Sequence, residues 1–279
     1  MLKPKTKRGL AAAARGLFVA VLMFATLFPF YWTLLISLKN QKDAFQVPPQ
    51  LIFTPTFENY QELFVTGSFG QYFFNSFVVC ILSIVLALVV GIPSAYIFAR
   101  CEFRFKKGFF YVLLITRMSP GAVFVIPYFI AYKELNMLDT YLGLTLIYFA
   151  SNLGIIVWSL RAFMEDIPVS LEEAARIDGC SLLQTLFKIS IPLATPGIAS
   201  TAILAFIFSW NEFLFALLLT RQKVQTAPIG ILNFIVFEKM NWGVIAAGSI
   251  MIALPVVFFG VAIRKYYVKG LTQGGLAGD

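Results

Sequence analysis

The sequence predicts an all-α integral membrane protein, a bundle of six transmembrane helices. Three observations predict it. Hydrophobic residues make up 59% of the 279 residues and charged residues only 13%, with a mean hydropathy of +0.82, where a soluble domain carries about a quarter charged residues. The apolar residues gather in six runs, each long enough for a hydrocarbon core of about 30 Å. The basic residues cluster in short segments between those runs, so the net charge of +8 reads as membrane topology and not as a nucleic-acid surface.

The runs are Leu17–Leu38, Tyr72–Ala99, Phe109–Ala131, Tyr141–Leu160, Gly197–Thr220 and Gly243–Ile263. The first follows a basic leader over residues 1–16 and is longer than the apolar region of a signal peptide. Lys39-Asn40-Gln41-Lys42 follows it where a small-residue cleavage site would stand, so residues 17–38 are read as an uncleaved first span. Residues 39–71 form an outer loop with Pro48, Pro49 and Pro55, too short for an enzyme domain and a candidate surface for an extracytoplasmic partner. Residues 72–263 form the core transmembrane domain and residues 264–279 an inner tail.

Orientation follows from the basic residues. With the N-terminus inside, the inner segments hold Lys3, Lys5, Lys7, Arg8, Arg15, Arg100, Arg104, Lys106, Lys107, Arg161, Arg176, Lys188, Arg264, Lys265 and Lys269. The outer segments hold only Lys39, Lys42, Lys133, Arg221, Lys223 and Lys239. The excess belongs on the cytoplasmic face, which places both termini there. Gly91, Pro93, Pro120, Gly121, Pro127 and Pro255 interrupt spans, and the backbone groups they free must be satisfied by neighbouring helices or a cavity. Small residues four apart, as in Gly243 with Ala247, permit close helix contact.

Several chemistries are excluded. The chain has no histidine, which removes the commonest metal ligand and the usual acid–base catalyst. It has no Gly-Lys dipeptide and therefore no P-loop of the G-x-x-x-x-G-K-[ST] form. Cys80, Cys101 and Cys180 are scattered, without metal or disulfide spacing. No catalytic residue and no metal site are assigned, and any ATP is bound by another polypeptide.

One polar insert stands out, Ser170 to Pro196, reading SLEEAARIDGCSLLQTLFKISIPLATP. Ser170 with Glu173, and Ser181 with Gln184, have the form of capping boxes. Asp178-Gly179 between them is a turn signal, with Gly179 suited to a left-handed helix end. Pro192 and Pro196 are expected to stop the second helix and start the next segment. The insert reads as short helix, glycine turn, short helix, on the inner face.

Two polar features fall inside spans. Arg117 precedes Met118-Ser119-Pro120, and Asn211-Glu212 follows Trp210 in the fifth. A charge at the bilayer centre costs at least about 2.5–3.5 kcal/mol on insertion scales, so it faces a cavity or a partner. Arg117, Trp210, Asn211 and Glu212 are therefore the candidate translocation path, with a mutual Arg117–Glu212 clamp left open beside it. Tyr72, Tyr128, Tyr148, Trp158 and Trp210 are aromatics whose flat faces could stack on a ring-shaped solute.

Glu173-Ala174-Ala175, Gly179 after three more residues, then Ile189 and Pro192, resembles the EAA loop of ABC-importer permeases. Arg117-Met118-Ser119-Pro120 and Trp210-Asn211-Glu212-Phe213 are similar to segments of the maltose-type carbohydrate-uptake permeases. Gly270-Leu271-Thr272-Gln273-Gly274-Gly275 resembles the glycine-rich tail of that group. The resemblance covers nearly the whole chain, most specifically residues 165–196, 208–213 and 270–275. Ile191 replaces the usual leucine, and the tail ends Leu276-Ala277-Gly278 without the lysine often found there.

The resemblance implies a type I importer fold in a multi-pass bacterial inner-membrane subunit that moves a sugar or sugar derivative. It makes residues 165–196 a coupling loop that docks on the ATPase through Glu173, Ala174, Ala175, Asp178, Gly179, Ile189 and Pro192. It makes Gly270, Leu271, Thr272, Gly274 and Gly275 a tail contact to the same subunit. The implied partners are an ATPase dimer carrying ATP and magnesium, a second permease or a copy of this chain, and a periplasmic binding protein. The alternatives are another small solute, such as a polyol, a sugar phosphate or another anionic derivative, and an ion-coupled secondary transporter. The last would use ion-coupling residues and often internal repeats, and no repeat between the halves is evident.

Overall fold

The structure, a computed structural model, describes residues 4–235 and 241–274; the side chains of residues 4–11, 114, 116–118 and 263–274 fall outside that description. Among the described residues every regular element is helical, and five helices are long and apolar enough to cross a membrane. The chain divides into two compact units, Met1–Phe69 with Asn233–Met251, and Gly70–Leu232 with Ile252–Asp279.

The first unit begins with α1 (Pro4–Ser37). From residue 12 to Tyr31 its side chains are exposed although nearly all are apolar, which is the surface a helix presents to lipid. Its C-terminal end is pinned by polar groups. The Asn59 amide donates to the carbonyls of Ser37 (2.9 Å) and Lys39 (2.7 Å), and a Cβ at Gly243 would run into that amide. Close approach thus explains the glycine, though its neighbour is the Asn59 side chain. Lys39 Nζ donates to the Gln50 carbonyl (2.6 Å) and lies over the rings of Trp32 and Phe53. The segment after α1 is therefore folded back on its own helix end.

The second unit holds the bundle: α2 (Phe69–Arg100), α3 (Lys106–Met118), α4 (Gly121–Glu134), α5 (Tyr141–Glu165), α6 (Val169–Ile177), α7 (Leu182–Thr185), α8 (Ile191–Trp210) and α9 (Leu214–Leu219). The last helix, α10 (Trp242–Gly274), belongs to this unit from Ile252 onward. Its core is layered along the spans. One cluster packs Val79, Leu144, Tyr148 and Leu219; a second packs Ile84, Ile156, Phe206 and Trp210; a third packs Tyr96, Met164, Leu186 and Ala194.

Three expectations about the spans are corrected. The third apolar run is two helices, not one, because Ser119 before Pro120 is extended (ψ 132°), as the clash with a following proline ring requires. The fifth run starts earlier and ends sooner than its hydropathy suggests. Its helix covers Leu182–Trp210 and then breaks at Asn211–Phe213 before α9. Pro192 and Pro196 do not stop a helix either. Leu186–Ser190 forms a π turn whose wider ring closes through the Ile191 amide on the Leu186 carbonyl, and the helix continues with Pro192 in the turn that follows.

Candidate coupling loop and candidate path

The polar insert is built from the end of α5 through α6, a tight turn and α7. Helix α6 starts at Val169 with Pro168 at its N-cap and no side-chain cap. The expected Ser170–Glu173 capping box is therefore absent. Helical geometry begins before Ser170, so its hydroxyl is inside the first turn and cannot receive the amide a cap receives. Glu173 and Ala174 are exposed, and Ala175 is buried. The second box is present, with the Gln184 amide on Ser181 Oγ (3.3 Å) and the Ser181 amide on Gln184 Oε1 (2.8 Å).

The turn between the helices has the geometry the Asp178-Gly179 pair predicts. Gly179 has φ +87°. Its amide bonds to the Arg176 carbonyl, and the Cys180 amide to the Ala175 carbonyl. This is a Schellman closure, in which only glycine takes the left-handed position without strain. A Cβ at Gly179 would meet no atom of this chain within 4 Å. Backbone conformation alone calls for the glycine here, and its surroundings are open. Val169, Leu171, Ile177, Leu182, Leu183 and Phe187 are exposed apolar side chains around the same turn, with Ile177 at 86% exposure, more than a solvated loop needs. Ile189 is half-buried and Pro192 exposed.

What holds this loop to the bundle is Glu172, which sequence reasoning passed over in favour of its neighbour. Glu172 is buried. Its Oε2 accepts from Arg100 Nε (3.0 Å) and the Tyr96 hydroxyl (3.2 Å), and its Oε1 accepts from the Ser190 hydroxyl (3.0 Å). Arg100 also donates to the Ile167 carbonyl (2.7 Å). One carboxylate thus ties α6 to the end of α2, to the π turn before α8 and, through Arg100, to the linker after α5. Both carboxylate oxygens have a donor, so the buried charge is compensated by hydrogen bonds as well as by the cation. The signal in the sequence was that Glu172 lies three residues from Ala175, on the inward stripe of α6. Its partners 72 and 76 residues away carry no local signal.

Of the candidate path residues, the structure describes the side chains of Trp210, Asn211 and Glu212. The Arg117 side chain lies outside the described residues, so its expected partner is not assigned. Trp210 is corrected: it is buried, its Nε1 donates to the Ile252 carbonyl (3.0 Å), and it stacks on Phe206. That makes it a packing residue of the core. Tyr148 is equally buried, while Trp158 is half exposed. Asn211 is the C-cap of α8, exposed, with its side-chain amide on the Ile207 carbonyl (2.8 Å). Glu212 sits in the break after α8. Its two carboxylate oxygens accept the amides of Phe215 (3.0 Å) and Ala216 (3.2 Å), the first free donors of α9. Gly270, Leu271, Thr272 and Gly274 fall in the last turns of α10, with side chains outside the description, and Gly275 lies outside the described residues.

An apolar helical bundle with a polar helix–turn–helix loop latched to one end defines a multi-pass membrane component. The family described as binding-protein-dependent transport system inner membrane component matches residues 87–270, and this chain belongs to it. It is 38% identical over 259 residues to the trehalose transport system permease protein of Mycobacterium tuberculosis, covering 90% of this chain and 93% of that one. It is 37% identical over 262 residues to a probable ABC transporter permease of Sinorhizobium fredii, covering 93% and 94%. The arabinooligosaccharides transport system permease protein of Bacillus subtilis aligns over the full length of both chains at 32% identity. The fold matches a chain of a bacterial ABC transporter involved in the import of the acidic polysaccharide alginate, with a TM-score of 0.80, 22% identity, and coverage of 96% of this chain and 99% of that one. The chain is thus a transport component of the membrane and not an enzyme.

Proposed function

We propose that this chain is one permease subunit of an ATP-driven importer that moves a sugar or sugar derivative received from a periplasmic binding protein. In this reading it crosses the bacterial inner membrane six times, α3 and α4 together making the third crossing. The leader (residues 1–16), the α6–α7 loop and the tail (residues 264–279) are cytoplasmic, and the 39–71 loop is periplasmic. The first span (17–38) precedes a core permease domain (72–263). A second permease subunit completes the path, and a dimer of ATPase subunits binds the nucleotide. The relatives named for trehalose, diacetylchitobiose and arabinooligosaccharides support the sugar class.

The carrying observation is the α6–α7 loop. Its turn faces open space and its apolar side chains are exposed, while Glu172 fixes its base to α2 and α8. Closure of the ATPase dimer on ATP favours one state of the membrane subunits by differential binding. A loop held at its base by one buried carboxylate passes that displacement to two spans at once. Glu173, Ala174, Asp178 and Gly179 then form the docked edge, with Gly270, Leu271, Thr272, Gly274 and Gly275 as a second contact. Arg117, Asn211 and Glu212 remain the polar groups proposed along the path.

The test is substrate-stimulated ATPase activity of the reconstituted complex carrying Gly179→Leu. A left-handed residue with a side chain costs about 1–2 kcal/mol, and the branched chain projects into the space where the partner docks. Subunit association or stimulation should fall while the permease itself inserts normally. Wild-type stimulation with normal subunit ratios would remove the coupling role from this loop.

A further inference from the structure

The turn between α2 and α3 carries a cavity that the transport reading does not use. It has a volume of about 600 Å³, and its lining includes Glu102, Phe103, Lys106, Lys107, Phe110 and Arg161. Lys106 Nζ reaches Glu102 Oε1 at 2.8 Å, and Arg161 Nε reaches Glu165 Oε1 at 2.8 Å. The Arg161 guanidinium also lies over the Phe110 ring, 4.5 Å from its centre. Among the described residues no carboxylate lies within ion-pair distance of Lys107. Arg104 adds a fourth cation beside the cavity, stacked on Phe105. The first turn of α3 contains no acidic residue, and its N-cap makes no side-chain hydrogen bond. The lining thus holds three cations and one carboxylate, with Arg104 and Glu165 next to it, and the excess is positive.

Below this basic rim the outward side of α3 is apolar. On the stripe of α3 that continues from Lys107, Tyr111 and Ile115 are 60% and 59% exposed. A ligand that satisfies both surfaces is anionic at one end and hydrocarbon along the other. A free inorganic anion would satisfy only the rim. We propose that this cavity binds the headgroup of an anionic phospholipid, with its phosphate among Lys106, Lys107 and Arg161 and its acyl chains along α3. The basic residues concerned are among those that the charge asymmetry assigns to the inner face, where clusters of this kind meet anionic lipid.

The experiment uses the full-length chain with whatever subunits accompany it, exchanged into an equal mixture of phosphatidylglycerol and phosphatidylcholine. Native mass spectrometry counts the lipids retained. The wild type should retain phosphatidylglycerol in preference. Lys107→Glu, which breaks no described ion pair, should lower that preference about fivefold or more, the effect of roughly one interfacial cation. Lys106→Gln with Lys107→Gln should abolish it. Inorganic phosphate at tens of millimolar should not displace the lipid. Equal retention of both lipids by the wild type would mean an apolar surface only, displacement by phosphate would mean a free-anion site, and an unchanged preference in Lys107→Glu would place the lipid elsewhere. Each of these results overturns the proposal.

Discussion

Two buried or half-buried glutamates are handled in opposite ways by this chain. Glu172 is neutralised at long range, by an arginine and two hydroxyls from other segments. Glu212 is satisfied locally, by the two amides that begin the next helix. The first joins elements; the second stabilises a break in one span. A carboxylate in an apolar protein is thus not by itself a sign of a transport path. Its partners decide whether it is a joint, a cap or a binding group.

The same contrast explains what could be read in advance. Features set by a few adjacent residues were legible: the apolar spans, the Ser181–Gln184 box and the left-handed Gly179. Features that depend on a competing neighbour were misread. Pro168 begins α6 ahead of Ser170 and voids the first capping box, and Pro120 splits an apolar run that hydropathy alone joins. The π turn at Leu186–Ser190 lets Pro192 sit inside a continuous helix, which no local proline rule anticipates. The Glu172 joint was illegible because its cation is at the far end of another span. The resemblance to importer permeases drew attention to Glu173, the exposed member of the pair, and not to the buried Glu172.

The largest effect expected is at the long-range carboxylate. Glu172→Ala leaves Arg100 buried without its anion, and breaking one side of a buried ion pair costs about 3–5 kcal/mol. Thermal unfolding of the purified complex should shift strongly downward. Glu172→Gln keeps an acceptor and a similar volume and should lose less. Arg100→Gln combined with Glu172→Gln should be less damaging than the two single losses added together. Strict additivity would show that the two groups do not act as one joint.

A smaller effect is expected at the local carboxylate. Glu212→Ala frees the amides of Phe215 and Ala216, a cap-type loss of about 0.5–2 kcal/mol. Glu212→Gln retains one carbonyl acceptor, so assembly should survive, and uptake then separates the two roles. Impaired uptake with intact assembly supports a place on the path. Wild-type uptake in Glu212→Gln would leave Glu212 as the cap of α9 alone, and the contrast with Glu172 would become one between two structural devices.

The smallest effect belongs to a third carboxylate, which tests whether local satisfaction is general. Asp139, in the turn between α4 and α5, accepts the amides of Arg221, Gln222, Lys223 and Val224 at 3.0–3.1 Å. Partial burial pushes its pKa up, but those backbone donors outweigh the burial and hold it below the ordinary aspartate value. A carboxylate with a depressed folded pKa contributes stability above its unfolded value of about 3.9 and loses it as pH falls through the folded value. Protection of the 221–224 amides in hydrogen exchange should therefore be flat near neutrality and decline only below about pH 4. Asp139 has φ +56°, a conformation asparagine also tolerates, so Asp139→Asn removes the charge without adding backbone strain. Exchange at these four amides should be faster in the variant at pH 7, with little change in global unfolding, because the carboxylate is only partly buried in a loop, where its electrostatics are screened. Equal protection in the two proteins would show that the turn is held by the Asp139 amide on the Leu219 carbonyl (2.7 Å) and not by the carboxylate.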